Sequence, residues 1–232
     1  MRQVFLTAPW VHAEEPEELR AVFQKYGKLQ KFPKGHFFPH GADQDGGVAL
    51  IQKGLVFFYF VDNESKNRIF AILPPNRVVG DLDALTRYRL NIFAVTMRPT
   101  EALVVSGEAY CKALDSDPAL MRCYAMSSIT KEETHLEGMM AIFTLPLEKR
   151  LIALYSSIIG SYYPLKRDDW NPVPFKLTTF EIADIVGSNR STISTIVNHW
   201  ISEGLARRDG RWLHLHGKLF AREYDWLKNP EP

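Results

Sequence analysis

The chain has 232 residues, of which 46% are hydrophobic and 24% charged, and its formal net charge is +1. This composition suits one large or two modest globular domains, and the near-neutral charge argues against non-specific binding of polyanions. The longest apolar run, Leu55–Val61, is too short to span a bilayer, and the start of the chain lacks a signal-peptide pattern. We therefore expect a cytoplasmic location and no membrane partner.

Short β-prone runs separated by turn signals fill the chain from about residue 29 to residue 106. The runs are Phe37-Phe38, Val48–Ile51, Leu55–Val61, Arg68–Ile72, Val78-Val79, Asn91–Met97 and Ala102–Ser106. Many short strands at such spacing are typical of a jelly-roll or a barrel. We therefore predict a β domain over residues 1–116.

A long helix is predicted next, because Asp117-Pro118 is a typical helix start and apolar residues continue to Phe143. Six positions spaced 3, 4, 3, 4, 3 form a heptad seam: Met126, Ile129, Glu133, Leu136, Met140 and Phe143. We predict a dimerisation helix over residues 117–145, with packing onto its own β domain as the alternative. Pro146 restricts the chain there, so the break at Thr144-Leu145 predicts a hinge.

The segment from residue 177 to residue 216 has the pattern of a helix-turn-helix followed by a β-hairpin. Thr178 and Glu181 form a capping box at the first helix, whose predicted apolar stripe begins with Phe180. Gly187 ends that helix, and Ser188 or Asn189 caps the second one. An Asp209-Gly210 turn then indicates a hairpin. Residues 146–232 are therefore predicted to form a winged helix-turn-helix.

The outer face of the second helix carries short or forked side chains that can hydrogen-bond to base edges and phosphates. The predicted contacts to double-stranded DNA are Thr178, Thr179, Ser188, Asn189, Arg190, Ser191, Thr192, Ser194, Thr195, Asn198, Arg207 and Arg208. Arg190 is the candidate for a base contact, since a guanidinium can pair with two guanine acceptors. The alternative is an ordinary helical pair with a polar outer face, used for protein contacts.

Several motifs along the chain resemble, in the same order, those of the CRP/FNR family of bacterial transcription regulators. They are Phe32-Pro33-Lys34-Gly35 with Gly41, Gln52–Val56, Val79-Gly80-Asp81-Leu82, and Glu181–Gly187 with Arg190–Ser194. The resemblance implies an α+β chain: an N-terminal double-stranded β-helix (jelly-roll) sensor domain, a long central dimerisation helix and a C-terminal winged helix-turn-helix. It also implies a homodimer that binds a palindromic promoter site and RNA polymerase under the control of an effector, as an activator in its best-known form.

The predicted effector site lies where the β-roll meets the central helix. Its residues are Tyr59, Val79, Gly80, Asp81, Leu82, Arg87, Arg89, Met126, Ile129 and Thr130. Cyclic-nucleotide-binding members carry an Arg-Ser pair at the position of Asn91-Ile92, and isoleucine cannot bond a phosphate. We therefore expect a small organic effector, with Arg87 or Arg89 available for an anion, rather than cyclic AMP.

The sequence gives little support for an iron–sulfur cluster, haem or another metal cofactor. The chain has two cysteines, Cys111 and Cys123, whereas the iron–sulfur members of the family use four ligands. His12, His36 and His40 leave haem open only as a minor alternative, and we predict no metal site. Ser191 and Thr195 replace the residues usual in the family's recognition helix, so its best-known half-sites should not be assumed.

The sequence thus predicts a DNA-binding transcription regulator and not an enzyme. An enzyme of the double-stranded β-helix type holds a metal with a histidine and carboxylate pattern that His36 and His40 lack. The alternative within the same fold is a regulator that needs no effector or responds to oxidation of Cys111 and Cys123.

Overall fold

The computed structural model describes residues 8–38, 47–63, 67–86 and 92–221. Within these residues the helices are α1 (Glu17–Tyr26), α2 (Asp81–Thr86), α3 (Gly107–Ser116), α4 (Pro118–Thr144), α5 (Leu147–Gly160), α6 (Thr179–Val186), α7 (Arg190–Ser202) and α8 (Gly217–Phe220). The strands are β1 (Lys28–Phe32), β2 (Phe37–Phe38), β3 (Gly47–Lys53), β4 (Val56–Val61), β5 (Asn67–Leu73), β6 (Val78–Val79), β7 (Phe93–Thr96), β8 (Thr100–Ser106), β9 (Trp170–Pro172), β10 (Ala206–Asp209) and β11 (Trp212–His216). The chain is therefore α+β.

The chain packs as two compact units, one of residues Val11–Glu133 and one of Met1–Trp10 with Thr134–Pro232. We call them the β unit and the C-terminal unit. Helix α4 contributes residues to both units, so the division predicted from the sequence, at 116 and 145, stays a prediction. None of the helices described is long and apolar enough to cross a bilayer.

Two four-stranded antiparallel sheets form the centre of the β unit, with the strand orders β1-β8-β3-β6 and β2-β7-β4-β5. Every β-prone run predicted from the sequence overlaps one of these strands. Small and branched side chains from both sheets pack together, including Ala49 and Ile51 of β3 with Val56 of β4. Close packing of such side chains stabilises the two layers against each other.

The turn between β3 and β4 requires glycine. Gly54 has a φ of +105°, and a Cβ there would lie 2.4 Å from Oγ1 of Thr100. Only glycine adopts this backbone without steric cost, and the chain passes here from a strand of one sheet to a strand of the other.

The ends of α4 follow the sequence signals. Oδ1 of Asp117 accepts hydrogen bonds from the backbone amides of Ala119 (2.9 Å) and Leu120 (3.2 Å), which confirms the predicted cap. The helix ends at Thr144, and α5 begins at Leu147 after Pro146. The predicted interruption is therefore present as a break between two helices.

The C-terminal unit combines helices α5 to α8 with a three-stranded sheet of order β10-β11-β9. Its core contains Leu154 and Ile158 of α5, Ile185 of α6 and Trp200 of α7, all fully buried. The indole Nε1 of Trp200 donates to Oε1 of Glu148 at 2.8 Å. This core fixes the positions of α6 and α7, whose other faces point to solvent.

Candidate nucleic-acid interface

The capping box predicted at the start of α6 is present. The backbone amide of Glu181 donates to Oγ1 of Thr178 (3.1 Å), and the backbone amide of Thr178 donates to Oε2 of Glu181 (2.6 Å). Both donors would otherwise lack a helical partner. The box therefore fixes where α6 begins and holds Thr178 and Thr179 at its exposed end.

The turn between α6 and α7 also has the predicted geometry. Gly187 adopts the left-handed region with φ +67°, and the amide of Ser188 donates to the carbonyl of Ala183 at 2.9 Å. Asn189, rather than Ser188, caps α7, because its Oδ1 accepts from the amide of Thr192 at 3.0 Å. The turn thus leads directly into α7 with its amino-terminal end exposed.

The hydroxyl groups at the start of α7 are already engaged within the helix. Ser191 and Thr192 donate to Oδ1 of Asn189 at 2.6 and 2.9 Å, and Thr195 donates to the carbonyl of Ser191 at 3.0 Å. Each hydroxyl keeps its acceptor capacity but must rotate before it can donate to another molecule. Within the described chain, the exposed amide of Asn198 has no such internal partner.

Arg190 is held by an aromatic ring. Its guanidinium lies over the Phe180 ring, 4.1 Å from the centroid, and Phe180 is 58% exposed. A cation–π contact at an exposed site contributes about 0.5–1 kcal/mol and restricts the arginine rotamers. The prediction that Phe180 belongs to the buried stripe of α6 is wrong, because the ring faces outward beside Arg190.

The inner face of α7 is apolar. Ile193, Val197 and Trp200 are buried, whereas Ile196 and Ile201 are only half-buried. The polar side chains of Arg190, Ser191, Thr195 and Asn198 are exposed on the opposite side. Helix α7 therefore presents a continuous hydrogen-bonding face supported by a packed core.

The predicted hairpin is formed by β10 and β11, with Asp209 paired to Trp212 and Gly210 at φ +55°. Three arginines extend from it into solvent. Arg207 stacks over the Trp170 ring at 4.3 Å, Arg211 lies 5.5 Å from the Trp212 centroid, and Arg208 is exposed near Tyr155. The hairpin therefore adds a cationic edge to the C-terminal unit.

The predicted seam residues lie on the exposed side of α4. Met126, Ile129, Leu136 and Phe143 are 44–80% exposed, while Glu133 and Met140 are half-buried. Met139, 52% exposed, also belongs to this side and was not included in the predicted seam. Exposed apolar side chains at heptad spacing are what a partner helix would cover.

The predicted effector residues have unequal environments in the β unit. Val79 is buried in β6, Tyr59 stacks on Phe93 with the ring centroids 5.4 Å apart, and Leu82 is 43% exposed. Thr130 is half-buried, and its hydroxyl donates to the carbonyl of Met126. Arg87 and Arg89, like Asn91 and His40, lie outside the described residues.

The carboxylate of Asp81 is held by a lysine that the sequence reasoning missed. Nζ of Lys131, on α4, lies 2.8 Å from Oδ2 of Asp81 and 2.6 Å from Oε1 of Glu15. Ser127 donates to the other oxygen of Glu15 at 2.7 Å. We call Lys131, Asp81 and Glu15 the buried ion cluster, because their side chains are only 10%, 11% and 1% exposed.

The charges of the cluster determine the ionisation of its lysine. Burial alone would lower the pKa of Lys131, but the charges of Asp81 and Glu15 and their hydrogen bonds raise it above the ordinary lysine value. Lys131 is therefore protonated throughout the physiological range. No pattern along the chain marks this site, since Glu15, Asp81 and Lys131 lie far apart in sequence.

The other candidate cofactor residues are dispersed. His12 is buried, and His36 packs on the Phe32 ring at 4.7 Å. In the part of the chain that the structure describes, no group of three or more His, Cys, Asp or Glu side chains could hold a metal ion. Burial, with the nearby carboxylates of Glu18 and Glu15, raises the pKa of the Cys123 thiol and so disfavours its reactive thiolate.

Comparison with known proteins identifies the fold. No family model matches the chain. The cyclic AMP receptor protein of Thermus thermophilus is 22% identical over 201 residues, which cover 86% of this chain and 88% of that protein. The structure of FixK2 from Bradyrhizobium japonicum matches with a TM-score of 0.73 at 15% identity, covering 85% of this chain and 98% of that chain.

A transcriptional regulator of the CRP/FNR family, also from Thermus thermophilus, matches with a TM-score of 0.64 at 18% identity, covering 85% of this chain and 100% of that chain. The chain therefore has the fold of the CRP/FNR regulators, which confirms the resemblance found in its motifs. The proteins that it resembles are transcription regulators and not enzymes.

Proposed function

We propose that this protein is a homodimeric, sequence-specific DNA-binding transcription regulator of the CRP/FNR type. The observation that carries the proposal is the exposed polar face of α7, with Arg190 held over Phe180 at its amino-terminal end. A winged helix-turn-helix inserts such a helix into the major groove. The guanidinium of Arg190 reads a guanine, while the hydroxyl groups of the face meet phosphates and base edges.

The charge around this helix supports a DNA partner. From Gly187 to Lys218 the chain has five basic and two acidic residues, a local excess of three positive charges. The amino-terminal end of α7 adds a positive dipole end, which favours a nearby phosphate. The hairpin arginines, Arg207 and Arg208, contact the DNA backbone on one side of the groove.

A second copy of the chain covers the exposed apolar side of α4. Phe143 is 80% exposed and Met126 56%, and burying such large apolar side chains against a partner is favourable. A parallel pair of α4 helices brings two recognition helices to successive turns of one duplex. The two-fold symmetry of such a pair calls for a palindromic promoter site, and contact with RNA polymerase is part of the proposal.

A small effector bound in the jelly-roll controls the protein, and we propose that it is not cyclic AMP. Ile92 stands at a position where cyclic-nucleotide-binding members of the family carry one residue of an Arg-Ser pair that binds the phosphate, and isoleucine cannot bind it. Oδ2 of Asp81 is already paired with Lys131, so a ligand hydroxyl there would meet a carboxylate whose charge is balanced. The alternative, a thiol-responsive regulator, is less favoured because the raised pKa of Cys123 keeps it protonated.

The test begins with selection of a binding site from random-sequence duplexes, followed by titration of the selected duplex by fluorescence anisotropy. Arg190→Ala should lose about 1–3 kcal/mol of specific affinity and relax the preference at one base pair. Arg20→Ala is the matched control, because Arg20 pairs with Glu14 in the β unit and should leave affinity unchanged. No enrichment of any sequence at low salt would refute the proposal.

A further inference from the structure

The C-terminal unit contains a cavity whose apolar floor takes no part in the proposed DNA contacts. It has a volume of about 450 Å³ and lies between α6, α7 and the β10–β11 hairpin. Ile182, Ile193 and Val197 form an apolar floor and are 4%, 0% and 6% exposed. We call it the hairpin cavity. Its volume falls within the range of small-molecule sites, roughly 300–1,000 Å³.

One side chain that lines this cavity, Tyr155, carries a hydroxyl group that is not fully buried. Tyr155 is only 2% exposed, and its ring packs edge-on against Trp200 with the centroids 6.3 Å apart. No described residue hydrogen-bonds to its hydroxyl. The hydroxyl is therefore available to donate to an acceptor that a ligand places in the cavity.

The charged residues that line the cavity favour a negatively charged acceptor. Lys176, Arg208 and Arg211 line the cavity, and none of the described lining residues is acidic. Burial raises the pKa of Tyr155 while the charge of Arg208 opposes the shift, so the phenol is a neutral donor at physiological pH. Two donors near each other, one of them charged, match a carboxylate.

We propose that the hairpin cavity binds a small carboxylate with an apolar, ring-sized body. The body packs on Ile182, Ile193 and Val197, and the carboxylate accepts from the hydroxyl of Tyr155 and the guanidinium of Arg208. An inorganic or DNA phosphate satisfies the cations but leaves the floor uncovered, which is why the apolar acid is favoured. This site differs from the predicted effector site, which lies in the β unit.

An effect on DNA binding rests on the proposed function. Ser194 and Arg208 line the cavity and are also predicted DNA contacts. A ligand that engages Arg208 removes it from the DNA backbone, so the bound acid and the duplex oppose each other. Binding of the acid alone needs no DNA and can be measured separately.

The experiment is isothermal titration calorimetry of the full chain without DNA, using 2-naphthoate and its neutral match 2-naphthamide. The acid should bind at least about tenfold more tightly than the amide, because hydrogen bonds to charged groups are the stronger ones. Tyr155→Phe keeps the ring and removes the hydroxyl, and it should weaken 2-naphthoate about fivefold or more. Tyr162→Phe, outside the cavity lining, is the matched control and should change nothing.

Three results would overturn the proposal. They are no measurable heat with 2-naphthoate up to about 5 mM, equal affinity for the acid and the amide, or unchanged affinity in both Tyr155→Phe and Arg208→Gln. A second arm repeats the DNA titration with saturating 2-naphthoate, where weaker DNA binding is expected. If the chain binds no DNA at all, the proposed function is refuted, but the calorimetry still shows whether the cavity binds the acid.

Discussion

The buried ion cluster makes the sharpest prediction about stability. Lys131→Met keeps most of the side-chain stem but removes the charge that lies 2.6 Å from Glu15 and 2.8 Å from Asp81. The two carboxylates are then buried without a counter-ion. Removing one partner of a buried ion pair costs about 3–5 kcal/mol. The side-chain exposures of 1–11% place this cluster in the buried class, where solvent screening is weak.

Urea unfolding of the full chain measures the effect. The five tryptophans, Trp10, Trp170, Trp200, Trp212 and Trp226, all lie outside residues 11–133. Tryptophan emission therefore reports the unfolding of the C-terminal unit, whereas far-UV circular dichroism reports the unfolding of both units. With a slope of about 2 kcal/mol per molar urea, the β-unit transition of Lys131→Met should move down by about 2 M.

Two further variants test the electrostatic reasoning. Lys112→Met removes an exposed lysine of α3 and should move the transition by less than about 0.5 kcal/mol. Replacing the whole cluster, with Glu15→Gln and Asp81→Asn added to Lys131→Met, should recover much of the loss because no charge is then left unpaired. A loss in Lys131→Met no larger than in Lys112→Met would instead show that solvent screens the charges of the cluster.

The remaining predictions concern single sites. Gly187→Ala should lower the free energy of unfolding by about 1–2 kcal/mol, because alanine is strained at a φ of +67°. An added Cβ would lie 3.8 Å from the nearest atoms, so no clash adds to this strain. An unchanged melting temperature would contradict the prediction. Leu136→Glu should give monomers in sedimentation velocity, whereas Leu29→Glu, an exposed leucine of β1, should remain dimeric. Since the pKa of Lys131 is raised, the cluster's contribution should persist through neutral pH and fade only above the ordinary lysine pKa of about 10.4; loss near pH 8 argues otherwise. Cyclic AMP should leave DNA affinity unaltered in anisotropy titrations, and strong stimulation rejects the effector proposal.

Local signals were sufficient for much of the fold. The caps at Asp117 and Thr178, the left-handed Gly187 and the Gly210 turn were all predictable, because each depends on neighbours within four residues. The β-prone runs predicted strands for the same reason. Helices α1, α2 and α8 and strands β1 and β9 were missed. Helix α1 begins without a side-chain cap hydrogen bond, and the other four elements are short.

Long-range features were not predictable from the sequence. Lys131 reaches Asp81 across 50 residues, and nothing in the helical pattern of α4 distinguishes it from a solvent-exposed lysine. Phe180 was assigned to the core because an aromatic ring beside apolar neighbours usually packs inward. The ring instead faces outward beside Arg190, a residue of the next helix.

In the proposed complex a pair of α7 helices reads two turns of one duplex. Hydroxyl-radical footprinting of the wild-type chain on its selected duplex should then show two symmetric protected patches centred about 10–10.5 base pairs apart. Arg190→Ala should weaken both patches together. A single patch, or two patches that Arg190→Ala leaves intact, would contradict the proposed complex.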